Sequence, residues 1–80
     1  MTVALHHWNR ETLLARLRAG DAIDRAAETD PTGAARERLR LLGIGDRFEA
    51  SVLSDAETIA AFEDVRVAAE RLTHRALVDD

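Results

Sequence analysis

The sequence predicts a small all-α domain of three main helices, with one or two further short turns, packed on a long carboxy-terminal helix. Three observations carry that reading. Apolar residues recur at three- and four-residue spacing over long stretches. Side chains suited to helix caps, Asn9, Asp30 and Ser54, stand ahead of those stretches. The single proline, Pro31, falls where a first helical residue belongs and no backbone donor is needed.

Asn9 caps a first helix through "RETLLARLRA", which carries Leu13, Leu14 and Leu17 on one face and has Gly20 beyond its end. Trp8, just before the cap, is placed for a hydrophobic staple onto Leu13. Asp21 either recaps a short turn, "AIDRAAE", or the helix runs on to Glu28; the pattern allows both.

The strongest punctuation is "TDPTG", where Asp30 caps and Pro31 opens a helix of about 12 residues, "PTGAARERLRLL". Gly43 is then expected as the left-handed residue that ends it, with Ile44 sealing against Leu39 in a Schellman motif. Asp46 and Glu49 form a capping-box-like pair opening a short turn, "RFEASVL". Ser54 and Glu57 repeat that device, and from there nothing breaks a helix until about Val78, a length of roughly 24 residues and about 36 Å.

Along this last helix Ile59, Phe62, Val65, Ala69, Leu72 and Ala76 form the stripe expected to face the core. Glu63, Glu70 and His74 face away from it. Val67, Leu77 and Val78 share that polar side, so the helix carries a second, partly apolar face that points to contact with another surface.

Eighty residues make one domain, expected to span 1–80, near the size where a single core yields only about 3–5 kcal/mol. Fifteen of the apolar residues are alanine, so the large side chains available to exclude water are few. Leu, Ile, Val and Phe still make up a quarter of the chain, above the roughly 20% below which disorder is expected. A thin core of this kind gains from a partner chain.

With no cysteine, neither a disulfide framework nor a thiolate zinc site is available. No apolar run reaches the ~20 residues of a membrane span, and the amino terminus lacks a signal-peptide pattern, so the cytoplasm is the expected compartment and no membrane partner is expected. All eleven cations are arginine. Residues 10–47 hold eight of them against seven acids, whereas residues 48–80 hold three against eight. An acidic chain gains little from neutralising phosphates, which disfavours broad nucleic-acid binding.

"LLGIGDRFEASVL" nevertheless resembles the helix-hairpin-helix family around its Gly-hydrophobic-Gly turn, and the resemblance implies backbone amides at Gly43–Gly45 holding a nucleic-acid phosphate. The chain departs from that pattern at Glu49, where a small residue is expected, and Asp46 adds negative charge; only Arg47 favours phosphate. "GDRFEA" is also similar to the attachment turn of acyl carrier proteins, but Arg47 stands where that family has its serine. The GK[ST] ending of a nucleotide-hydrolase phosphate loop is absent.

His6, His7 and His74 are the only imidazoles; Glu70 precedes His74 by four residues, with Glu63 two turns before Glu70 on the same side. That spacing reads first as an exposed i,i+4 pair at the negative end of the helix dipole, and neither metal nor cofactor is expected. Ser51 and Ser54 sit in no G-x-S-x-G elbow, and neighbouring carboxylates such as Glu63 and Asp64 diverge, so no enzyme activity is expected. The expected function is a protein–protein interaction module, an accessory, regulatory or inhibitory protein acting on a larger protein or on its own copy. The expected contact residues are Trp8, Val67, His74, Leu77 and Val78, with Arg36, Arg40 and Arg47 as an electrostatic patch. Two other classes are carried beside it: nucleic-acid binding through the glycine turn, and a noncatalytic subunit of an oxidoreductase or metalloenzyme.

Overall fold

Asn9, Asp30 and Ser54 each begin a helix, as their side-chain chemistry dictates. The computed structural model describes residues 8–78, and three helices follow in order: α1 (Arg10–Ala27), α2 (Pro31–Glu49) and α3 (Asp55–Val78). Asn9 accepts from the Thr12 backbone N–H at 2.8 Å, and Asp30 accepts from that of Gly33 at 2.9 Å with Pro31 behind it. At α3 the capping box is complete: Glu57 accepts from the Ser54 N–H at 2.9 Å, and the Ser54 hydroxyl accepts from the Glu57 N–H at 3.1 Å.

Short connections at residues 28–30 and 50–54 fold the three helices back on one another, each packing against the other two. The Asn9 side-chain amide donates to Asp55 at 3.2 Å, so α1 and α3 start at the same end of the bundle. The stripe expected on α3 faces the core: Phe62, Val65 and Ala69 have no exposed surface, and Ile59 and Leu72 pack against them.

Residues 10–27 form one helix, which settles the open choice at Asp21 and carries α1 through Gly20. Its buried face is Thr12, Ala15, Ala19, Ala22, Ile23 and Ala26, while Leu13, Leu14 and Leu17 point outward. Alanines at four-, three- and four-residue intervals hold one face for the whole helix, whereas the leucines occupy only its first half. The small side chains let helix axes approach closely. The Trp8 indole lies over Phe48 and Phe62, with ring centroids 4.7 Å and 6.1 Å away, while Leu13, its expected staple partner, is 41% exposed.

The expected stop at Gly43 is corrected as well. α2 runs through Gly43 and Gly45, neither of which has a positive φ, and Asp46 and Glu49 lie within the helix rather than opening another. Magnitudes explain the outcome. Two helix-interior glycines cost about 1 kcal/mol each, whereas burying Ile44 and Phe48, as the continuous helix does, yields about 1.5–3 kcal/mol each. Leu39, expected to seal a helix end with Ile44, is instead 71% exposed. The Schellman motif lies further on, at Ser51, whose φ is 61°. There the Val52 N–H donates to the Arg47 carbonyl at 2.8 Å and the Ser51 N–H to that of Phe48 at 3.0 Å.

Two threonines are fully buried yet satisfied: Thr12 donates to the Asn9 carbonyl at 3.0 Å and Thr58 to that of Ser54 at 2.7 Å. Gly33 is fixed by close packing, because a Cβ there would lie 2.5 Å from Asp30 Oδ2 and 2.9 Å from Leu72 Cδ1. Gly45 lies under the Trp8 ring, where an added Cβ would make ordinary contact at 3.8 Å.

Candidate functional site

Turning α1 by its alanine face puts leucines in solvent beside α2. Leu13, Leu17, Gly20, Leu41 and Leu42 line a shallow groove of about 510 Å³ between the two helices. Pro31, Ala34, Ala35, Leu39 and Leu42 continue it along α2. Arg16, Asp21, Asp24 and Arg38 stand among these apolar side chains, with Arg38 and Asp24 paired across the helices. The Arg16 guanidinium also sits over the Trp8 ring, 5.2 Å from its centroid. Sequence reasoning missed this surface; the signal was the alanine periodicity of α1, which leaves its leucines no place inside.

A second groove, between α1 and α3, is polar. Arg18, Asp21, Arg25, Glu63, Arg66 and Glu70 line it together with Ala22. Arg66 donates to Glu63 through Nε and Nη2 at 2.9 and 2.7 Å, and through Nη1 to both Glu70 oxygens at 2.8 and 2.7 Å. The Arg66 hydrogen bond holds the Glu63 carboxyl below the ordinary glutamate range, and the two carboxylates raise the Arg66 guanidinium above its own. Three cations and three carboxylates balance here, and Glu63 and Glu70 face an arginine rather than a vacant ligand position. Among the described residues no three His, Cys, Asp or Glu converge closely enough to hold a metal ion.

Of the contact residues expected from sequence, His74 and Leu77 come together, lining a groove of about 300 Å³ with Ala22, Arg25, Glu70 and Thr73. Leu77 is 71% exposed, and Val67 is half-buried. Val78 ends α3, but its side chain lies outside the described residues, as do His6 and His7. Trp8 is half-buried on the core and donates from Nε1 to Glu49 at 3.3 Å. Arg36, Arg40 and Arg47 are exposed on α2, and Arg40 pairs with the largely buried Glu37 at 2.6 Å. The glycine stretch offers no hairpin turn, since Gly43 to Glu49 is continuous helix.

Among the described residues no helix is long and apolar enough to cross a membrane. No protein-family model, curated protein or solved structure matches the chain. The fold is that of a small all-α three-helix bundle.

Proposed function

We propose that this chain is a helical protein–protein interaction module that works through the outer surface of α1 and α2. The observation that supports it is the apolar face itself: Leu13, Leu17, Leu39 and Leu42 are between 41% and 71% exposed on two adjacent helices. Single exposed leucines are ordinary, but adjoining ones edged by charged residues mark a contact surface. The groove supplies shape and apolar area, not reacting groups, which fits an accessory or regulatory role better than catalysis.

Affinity capture from the native host tests this with two sets of full-length variants, Leu17→Glu with Leu42→Glu, and His74→Ala with Leu77→Glu. A bound protein lost only in the first set supports the α1/α2 face. Loss only in the second moves the contact to the end of α3, and retention in both removes the reading.

A further inference from the structure

The charges in the α1/α2 groove are balanced in number but ordered along the helix. Arg16 stands in the first half of α1, and Asp21 and Asp24 in the second, with Arg38 of α2 on Asp24. Two cations against two carboxylates give a net acidic or basic partner nothing to select. What such an order does match is its own reverse. Residues 16 and 24 are equidistant from Gly20, about 6 Å to either side at 1.5 Å per residue. In an antiparallel pair of α1 helices centred on Gly20, Arg16 of each copy therefore meets Asp24 of the other.

The apolar positions agree with the same register. Leu13 meets the exposed Ala27 of the other copy, the two Gly20 residues face each other at the centre, and Leu17 lies three residues from that centre, about 4.5 Å along the axis. At Gly20 nothing lies within 4 Å of where a Cβ would be, although glycine inside a helix is costly compared with alanine. A second helix crossing at that point is what the missing side chain makes room for. Leu42 and Leu39 of α2 extend the apolar area beside it, toward the roughly 800 Å² per partner that a specific interface needs.

We infer that the occupant of this groove is a second copy of the chain, bound about a two-fold axis with the α1 helices antiparallel. The inference rests on the interaction-module reading and narrows it to one partner.

Sedimentation of the full chain over a concentration series tests it, with circular dichroism to verify folding of each variant. The wild type is expected to dimerise below about 1 mM, and Leu17→Glu, at a 62% exposed site, to weaken the dimer about a hundredfold, since two leucine contacts are lost and each ~1.4 kcal/mol is tenfold. Gly20→Ala is expected to raise helix stability and yet weaken association. Arg16→Glu and Asp24→Arg each place like charges across the seam and weaken it about tenfold; mixed in equal amounts they restore it, because each introduced charge then meets its opposite. A chain still monomeric at about 1 mM overturns the inference, as does a dimer indifferent to Leu17→Glu or a mixture that fails to recover. If the chain is monomeric but Leu17→Glu abolishes capture of a different protein, this inference falls and the module reading stands. If capture is also unaffected, both fall.

Discussion

The indole of Trp8 lies against the ring of Phe48 with centroids 4.7 Å apart and planes tilted by 58°, joining the residue ahead of α1 to the last turn of α2. Phe62 of α3 approaches the same indole at 6.1 Å, so three aromatic rings close one end of the bundle. Trp8→Ala is expected to destabilise the fold by about 2–3 kcal/mol, at or below the bottom of the range for a core tryptophan because the side chain is only half-buried. Urea unfolding followed by circular dichroism gives the value, and an unchanged midpoint would remove Trp8 from the core.

Ser51 carries the left-handed backbone of the α2 terminus without the freedom glycine has there. Ser51→Gly should raise stability by about 0.5–1 kcal/mol, in contrast to most glycine substitutions, and the denaturation midpoint should rise with an unchanged slope.

The helix glycines should divide by their surroundings. Gly43 has nothing within 4 Å of an added Cβ, so Gly43→Ala is expected to stabilise by about 0.5–1 kcal/mol through helix propensity. At Gly33 the added methyl displaces the Asp30 carboxylate from its capping position, so Gly33→Ala should cost up to about 1 kcal/mol. Equal effects at the two sites would contradict the close packing at Gly33.

Acid should weaken the fold through Glu57 and Glu63. The backbone N–H of Ser54, then its hydroxyl, lowers Glu57, and the Arg66 hydrogen bond lowers Glu63. A carboxyl held low in the folded state adds stability above its unfolded pKa, and that stability drains away as pH falls through the folded value. Glu57→Gln together with Glu63→Gln is therefore expected to flatten the fall in thermal midpoint between neutral pH and about pH 3. A fall as steep as the wild type's would place the acid sensitivity elsewhere.

Much of the architecture was legible in the sequence because it is written in local chemistry. Asn9, Asp30 with Pro31, and Ser54 with Glu57 each act within three residues, and the stripe of α3 is carried by side chains large enough to read. The errors came where small residues decide. Gly43 looked like punctuation, but Ile44 and Phe48 reward a continuous helix only once the rest of the bundle is there to cover them, which is tertiary information. The leucines of α1 drew attention from the alanines that fill the interior. The α1/α2 groove was hidden for that reason, while His74 and Leu77, which share a groove, lie on one helix, where spacing alone brings them together.

The alanine face of α1 reverses the usual mutational sensitivity of a protein interior. Where a core is made of leucines, truncation opens voids; on this face Ala19 and Ala26 have no exposed surface, and little remains to be cut away. Enlargement is the vulnerability, since each added methylene pushes neighbouring helices apart. Drift toward larger hydrophobic residues on this inner face would spread the bundle from within.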